Sequence, residues 1–308
     1  MVIAKKKKTA ISRKGDILFY WGILLLPLIQ IAIFYFAVNI NSFLMAFQKY
    51  NPVKNSYYFV NGFENFAQIF REMSYTNTMK FAIGNSVFLY FWGLLVNTPL
   101  PIIFSYYIYK NKMSGGIIKL LLFIPSIIPA TTLGTLYFLM GNSVFPELGL
   151  IAIQNQSRWQ VWFSLVLIGM PFGFGANVIM YSGAMSGIDQ SLSEAAQIDG
   201  AGPMQEFIHL TLPMVWPTFA TFTTVGIASI FTNQANLFTI FPAGAPADNY
   251  TIGYFLFKEV ANVESASLSQ AQQGYPVLSA YAMLFTACAI PLVYLMKFIM
   301  AKIGPSVE

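Results

Sequence analysis

Charged residues are scarce in this chain: they make up 9% of its 308 residues, whereas a soluble globular domain carries about 25%. Hydrophobic residues make up 56%. This composition excludes an ordinary soluble protein and indicates an integral membrane protein. The formal net charge of +5 does not indicate nucleic acid, because the basic residues cluster at the ends of the apolar runs.

Cysteine and histidine each occur once, which excludes several kinds of site. Cys288 cannot form an internal disulfide and is expected to act as a small buried apolar residue. His209 is expected to be a polar surface residue. There is no Cys/His cluster to hold a metal and no G-x-x-x-x-G-K-[ST] loop to cradle phosphate. We therefore expect a chain that holds no metal or cofactor of its own.

Six apolar runs are long enough to cross a membrane, for which a helix needs about 20 residues. They lie near 17–38, 80–108, 119–140, 160–182, 214–240 and 276–300. The sequence predicts an all-α membrane protein in which a basic tail, 1–16, precedes a single transmembrane domain, 17–308. Pro99 and Pro101 predict a kink or a helical extension in the second run.

Lysine and arginine predict the orientation of these spans. Six lie in the N-terminal tail, three in the connection 109–119 and two near the C-terminus, against six in the segments on the other side. Both termini and the loop 183–213 are therefore expected in the cytoplasm. This loop has no Lys or Arg but carries four acidic residues, so the surface that receives it is expected to have basic residues. Its acidic residues are Asp189, Glu194, Asp199 and Glu206.

The loop 183–213 predicts two short helices joined by a turn. Ser191 and Glu194 have the spacing of a capping box, which would start the first helix. Asp199-Gly200 supplies the turn, because glycine tolerates a positive φ at a helix C-terminus. Pro203 suits the first turn of the second helix. An apolar face suited to docking on another protein is then expected at Met204, Phe207, Ile208 and Thr211.

Residues 194–213 closely resemble the EAA loop of bacterial ABC-importer membrane subunits, whose pattern is E-A-A, a glycine six residues after the glutamate, and I-x-L-P. The matching positions are Glu194, Ala195, Ala196, Gly200, Leu212 and Pro213. Leu210 replaces the usual isoleucine, while Asp199, Ala201 and Phe207 fit the carbohydrate-importer version. The resemblance implies that these residues couple the chain to an ATPase. The alternative is a loop that only packs against its own helices.

The resemblance extends over most of the chain and implies a six-helix permease core with a cytoplasmic coupling helix-turn-helix. Such a permease belongs to carbohydrate importers of the maltose-transporter type. The implied partners are a second, different permease, an extracellular solute-binding protein and two ATP-binding subunits, which hold ATP and Mg²⁺. The implied function is ATP-driven import of oligosaccharides or polysaccharide fragments across the bacterial plasma (inner) membrane. Membrane lipid surrounds the chain, and no nucleic-acid partner is expected.

Uncharged amides and hydroxyls in the fourth and fifth spans are candidates for the substrate path. Amides inside a membrane are costly unless they are paired or face a wet cavity, and beside aromatic rings they suit sugars. The candidates are Asn177, Tyr181, Ser229, Phe231, Asn233 and Gln234. The resemblance implies sugar contacts near Asn233 and Gln234. Hydrogen bonding between helices is the alternative role.

Two other functions stay open. A permease for an anionic sugar or for glycerol phosphate would call for Lys or Arg in the cavity, and the span interiors show none. Lys49, Lys54 or Lys258 could still neutralise an acidic sugar at the rim. A stand-alone channel or secondary transporter leaves the EAA-like loop unexplained. Proton-coupled transporters also usually keep ionisable groups in the membrane, which these spans almost entirely lack.

Overall fold

The computed structural model describes residues 10–60, 62–110, 115–149 and 157–305. Long apolar runs without strand-like alternation make most of these residues helical. The helices are α1 Ala10–Ile31, α2 Val38–Met45, α3 Glu64–Tyr75, α4 Asn77–Trp92, α5 Pro99–Lys110, α6 Gly115–Phe123, α7 Ala130–Leu139, α8 Phe145–Glu147, α9 Arg158–Ser186, α10 Gln190–Ile198, α11 Pro203–Glu206, α12 Leu212–Met214, α13 Trp216–Thr232, α14 Leu237–Ile240, α15 Ile252–Ser265 and α16 Leu268–Ile303. π-helical segments are Ala32–Ala37, Gly93–Asn97, Met140–Val144 and Phe207–Thr211, 3₁₀ segments are Ile124–Ile127 and Ala247–Asn249, and the two strands are β1 Gln48–Asn51 and β2 Ser56–Phe59.

Three stretches of the described chain are long and apolar enough to cross a membrane, and two bent helix pairs raise the number to five. The stretches are Gly15–Met45, Asn77–Lys110 and Leu268–Ile303; the pairs are Gly115–Ile127 with Thr131–Glu147 and Pro203–Met214 with Trp216–Thr232. The predicted span 160–182 lies within α9, which has 29 residues. At about 1.5 Å per residue, α9 is longer than a hydrocarbon core of about 30 Å. Residues 1–9 of the predicted basic tail lie outside the described residues.

The first compact unit comprises the described residues up to Ile69 together with Val263–Met283. Its antiparallel hairpin pairs Lys49 with Tyr58. Asn65 on α3 is buried and donates from Nδ2 to backbone carbonyls beside and within β1, which fixes the hairpin to the helix.

The second unit comprises Phe70–Asn262 and the described residues from Leu284 onward. Helices α5 and α6 both pack on α9. Gly175 of α9 lies so close to α6 that a Cβ there would be 2.0 Å from the carbonyl oxygen of Leu122. A glycine at this position therefore sets the distance between two helices.

The third predicted span, 119–140, is not one straight helix. The chain bends by 85° between the two helical pieces. Ile128 is extended, with ψ of 128°, and Pro129 lies outside both helices. Proline disfavours helical geometry in the preceding residue and lacks an N–H, so the apolar run breaks there.

The second and fifth predicted spans are also interrupted. In the second span the distortion is a π-helical turn, Gly93–Asn97, which ends just before Pro99. The fifth predicted span, 214–240, has the wrong boundary, because α13 ends at Thr232. Ala235 and Asn236 then adopt left-handed φ values of 50° and 53°, which turn the chain before α14.

Candidate functional site

Helix α10 of the loop begins at Gln190 and is capped by Asp189, two residues before the predicted capping box. The Asp189 carboxylate accepts a hydrogen bond of 3.0 Å from the Ser191 backbone N–H. This bond lowers the pKa of Asp189 from its usual value. The prediction that Ser191 and Glu194 form the cap was wrong, because the helix starts earlier and Asp189 occupies the N-cap position. Glu194 instead accepts from Gln190 Nε2 at 2.7 Å and is exposed.

The predicted turn at Asp199-Gly200 is confirmed. Gly200 has φ of +81°. Its N–H bonds to the Gln197 carbonyl at 3.1 Å, and the Ala201 N–H bonds to the Ala196 carbonyl at 2.9 Å. Together these bonds form a Schellman motif, which ends α10 and redirects the chain.

The second helix of the loop starts at Pro203, as predicted, but its apolar face differs from the prediction. Thr211 is buried and Phe207 is half-buried, whereas Met204 and Ile208 are exposed. The prediction of one shared face was wrong because residues 207–211 form a π-helical turn. A π turn holds more residues than an α turn, so the spacing expected for an α-helix does not apply.

Apolar side chains project from both helices of the loop. Ile198 is 86% exposed and Met204 is 68% exposed, with Leu192 and Ile208 also exposed. Glu194, Ala195 and Asp199 are exposed, and Ala196 and Ala201 are half-buried. Large apolar side chains left exposed on a polar loop are typical of a protein-docking surface. Sequence reasoning missed Ile198 and Leu192, although both lie on the first helix of the motif.

The C-terminal part of the loop is anchored to the membrane helices. Phe207, Leu212 and Met214 pack against a buried cluster of apolar side chains. The cluster consists of Ile102, Tyr181, Met185, Ile188 and Val215. The Tyr106 hydroxyl also donates to the Pro203 carbonyl at 2.7 Å. Phe207, Leu212 and the half-buried Pro213 therefore lie in the anchored part of the motif, and Glu194 and Ala195 in its exposed part.

A cavity of about 280 Å³ lies among α4, the π-helical segment Gly93–Asn97, α9 and α13. Four of the six residues predicted for the substrate path line it: Asn177, Tyr181, Ser229 and Asn233. A second cavity, of about 360 Å³, shares Leu89, Asn97 and Asn233 with the first and is also lined by Trp92 and Trp162. We call the two together the polar cavity. Its described lining includes no charged side chain.

Two of the predicted residues lie apart from this lining. Phe231 packs against Phe285, with ring centroids 6.1 Å apart. Gln234 follows the end of α13 and is half-buried. Asn233 caps α13, and its Oδ1 accepts from the Ala235 N–H at 2.8 Å. The amide nitrogen of Asn233 takes no part in that turn.

Several buried polar atoms of the polar cavity have no hydrogen-bond partner within the described part of the chain. They are Trp92 Nε1, Asn97 Oδ1, Trp162 Nε1, Tyr181 OH and Thr223 Oγ1. Each buried group left without a partner costs about 1–3 kcal/mol. Water or a polar solute would satisfy them, so the cavity is suited to a solute with hydroxyl groups. Sequence reasoning missed Asn97, although it is an amide within an apolar run.

Asn85 of α4 is the centre of a hydrogen-bond network that fixes a neighbouring loop. Asn85 is buried and donates from Nδ2 to the carbonyl oxygens of Asp248 and Tyr250, at 2.9 and 2.7 Å. Its Oδ1 accepts two hydrogen bonds from the Arg158 guanidinium. Arg158 therefore has a structural role, because its guanidinium is bonded to Asn85. The described residues contain no group of His, Cys, Asp and Glu side chains arranged to hold a metal.

Residues 97–308 match the family described as binding-protein-dependent transport system inner membrane component. Because this match covers more than half of the chain, the chain belongs to that family. It is therefore a membrane transport subunit and not an enzyme. The match begins at Asn97 and includes the whole loop and most of the polar cavity lining.

Two individual relatives and one solved structure resemble the chain over most of its length. The chain is 24% identical over 275 residues to the arabinooligosaccharides transport system permease protein AraP of Bacillus subtilis, covering 85% of this chain and 83% of that one. It is 26% identical over 249 residues to the sn-glycerol-3-phosphate transport system permease protein UgpA of Pectobacterium atrosepticum, covering 77% and 82%. The fold matches a crystal structure of a bacterial ABC transporter involved in the import of the acidic polysaccharide alginate. That match has a TM-score of 0.72 and 20% identity, and covers 95% and 98% of the two chains.

Proposed function

We propose that this chain is a permease subunit of an ATP-driven importer for neutral oligosaccharides or polysaccharide fragments. It forms half of the translocation path and couples to an ATPase through residues 194–213. The observation that carries the substrate class is the polar cavity, whose lining combines amides, hydroxyls and indole rings without a charge. Sugars fit such a lining, because they offer hydroxyls to the amides and C–H faces to the rings.

The exposed face of the loop supports the coupling role. Its apolar side chains are held on a rigid turn at Gly200. A rigid helix-turn-helix transmits a displacement more directly than a mobile loop would, because its two helices move as one body. The proposed occupant of this face is an ATP-binding subunit, which would hold ATP and Mg²⁺.

The family and its relatives support the remaining proposed partners. A second permease chain completes the path, two ATP-binding subunits supply energy, and an extracellular binding protein delivers the sugar. One neighbouring structure is an alginate ABC transporter in complex with a pentasaccharide-bound periplasmic protein. The Lys and Arg distribution supports an orientation with both termini in the cytoplasm.

Uptake by the complex reconstituted in proteoliposomes tests the substrate class. Neutral arabino- and gluco-oligosaccharides should compete for uptake, whereas alginate oligosaccharides and glycerol phosphate should not. The physical reason is that an anion would enter a lining without a compensating cation. Competition by the anionic solutes alone would overturn the neutral substrate class and favour the alternative suggested by UgpA and the alginate importer.

Asn233 lines the polar cavity, whereas the neighbouring Gln234 is not part of the described lining. Asn233→Ala should reduce uptake roughly two- to tenfold at limiting substrate, because one hydrogen bond is worth about 0.5–1.5 kcal/mol. Gln234→Ala is the matched control, since Gln234 does not belong to the described cavity lining, and its uptake should stay within twofold. Uptake and melting temperature are measured on each purified complex. Equal losses of uptake in the two variants would contradict this placement of the substrate path.

The exposed face of the loop should determine retention of the ATP-binding subunit. Ile198→Asp places a charge on an apolar contact and should reduce copurification at least fivefold. Glu194→Lys should also weaken it by reversing a charge on the same helix. Val53→Asp is the control, because Val53 is 92% exposed but lies in the hairpin turn of the first unit. Undiminished copurification of Ile198→Asp would exclude this face as the docking surface.

A further inference from the structure

One carboxylate of the loop points inward and joins it to a membrane helix. Glu206, the last residue of α11, is 3% exposed. Its Oε1 lies 2.5 Å from the Nζ of Lys110, the last residue of α5. The Ser193 hydroxyl of α10 donates to the same oxygen at 2.7 Å and accepts from Lys110 Nζ at 2.9 Å. We call these three residues the Lys110 cluster.

The Lys110 cluster connects both helices of the loop to α5. Ser193 lies on the first helix, Glu206 on the second and Lys110 on the membrane helix. Tyr106 lies one turn before Lys110, on the same face of α5, and bonds to the carbonyl of Pro203. The loop is therefore held to one end of α5 by an ion pair and several hydrogen bonds.

The other end of α5 lies at the polar cavity. Asn97 and Thr98 directly precede α5, and both line the cavity. The twelve residues of α5 span about 18 Å at 1.5 Å per residue. A displacement of the loop along or across this rigid helix would reach the cavity wall, because a helix transmits motion without stretching.

The burial of Glu206 distinguishes it from the other acids of the loop. Asp189, Glu194 and Asp199 are exposed, but Glu206 is turned into the chain. The expectation that all four face a basic partner surface therefore fails for Glu206. A buried carboxylate is costly unless it is paired, so removal of either partner should disturb this contact strongly.

We propose that the Lys110 cluster is the positioning element that transmits displacement of the loop through α5 to the wall of the polar cavity. The proposal rests on the proposed function, since it requires an ATPase that moves the loop. The side chains of the Lys110 cluster contact no substrate. They fix the position of α5 relative to the loop. When the cluster is broken, the ATPase should still bind and turn over, but its movement should no longer open the cavity.

The test compares Lys110→Met and Glu206→Gln with the charge exchange that combines Lys110→Glu and Glu206→Lys. Uptake and ATP hydrolysis are measured per assembled complex in proteoliposomes. Each single variant should lower uptake at least fivefold while ATP hydrolysis stays within twofold, so that more ATP is consumed per sugar. The exchange should restore uptake to at least half of the original value. Glu64→Gln is the control, because it removes an exposed 2.7 Å pair with Lys49 outside the loop.

Two results would overturn the proposal. The first is normal uptake per assembled complex in both single variants, with only a lower yield or melting temperature. The second is an equal loss of uptake and ATP hydrolysis that the exchange does not relieve. If Lys110→Met fails to assemble, Ser193→Ala replaces it; this variant removes the bridging hydroxyl and leaves the ion pair, and normal uptake by it would also count against the proposal.

Uptake by the unmodified complex distinguishes a failure of the role proposed for the Lys110 cluster from a failure of the proposed function. If the unmodified complex imports no oligosaccharide, the proposed function fails. If the unmodified complex imports sugar and the single variants do so equally well, only the role of the Lys110 cluster is lost.

Discussion

Gly200→Val should reduce uptake at least tenfold while the chain still inserts and assembles. Gly200 has φ of +81°, and no heavy atom lies within 4 Å of a Cβ built there. The cost therefore comes from the backbone alone, at about 1–3 kcal/mol for a non-glycine residue held in this region, and more for a β-branched one. Since about 1.4 kcal/mol is a tenfold change in an equilibrium constant, the ratio of the native turn to its alternatives falls about tenfold or more, and the docking face is misaligned in the alternatives.

Gly200→Asn is the control for this result. Asparagine tolerates the left-handed region better than other non-glycine residues. It should therefore retain most of the uptake, and Gly200→Ala should fall between the two variants. The measurements are uptake and ATP hydrolysis per assembled complex. Normal uptake by Gly200→Val would mean that the turn geometry does not matter for coupling.

Gly175→Val should prevent assembly of a stable complex. A Cβ at this position would lie 2.0 Å from the carbonyl oxygen of Leu122 and 2.7 Å from the Cα of Phe123. Backbone atoms cannot rotate away as a side chain can, so α9 and α6 would have to separate. Overpacking of this kind typically costs about 1–3 kcal/mol and occasionally more, and here it affects the central helix of the unit.

Gly183→Ala is the matched control on the same helix. Gly183 is exposed, and nothing lies within 4 Å of its added Cβ. An alanine in a helix is favoured over glycine by roughly 0.5–1 kcal/mol. The melting temperature of the Gly183→Ala complex should therefore equal or exceed that of the unmodified complex. Yield and melting temperature of the detergent-purified complex provide the comparison. If the Gly175→Val complex had the same melting temperature as the unmodified complex, α6 would be free to move relative to α9.

Local features of the loop could be predicted from the sequence because few residues determine them. Gly200 is needed for a positive φ, and Pro203 suits the start of a helix; the structure has both. The cap was placed wrongly at Ser191 because Asp189, two residues earlier, is also a favourable N-cap residue and starts the helix there. The apolar face was assigned wrongly because a π-helical turn cannot be read from α-helical spacing.

The polar cavity could be predicted only in part. Asn177, Tyr181, Ser229 and Asn233 stood out as polar residues in apolar runs, and they do line it. Trp92 and Trp162 looked like ordinary apolar residues, since only the packing of α4 against α9 reveals that their indole nitrogens lack partners. The Lys110 cluster was missed for a similar reason: its ion pair joins residues 96 positions apart in the sequence.

ATP-dependent uptake by the purified complex distinguishes an ATP-driven importer from a stand-alone transporter. The chain is purified from its native membrane in mild detergent, together with whatever remains bound, and is reconstituted with its binding protein. We predict that an ATP-binding subunit copurifies, and that uptake of a neutral oligosaccharide requires ATP inside the vesicles and stops when ATP is replaced by a non-hydrolysable analogue. Equal uptake without ATP, by a chain that purifies without an ATP-binding subunit, would contradict the account and identify a stand-alone transporter.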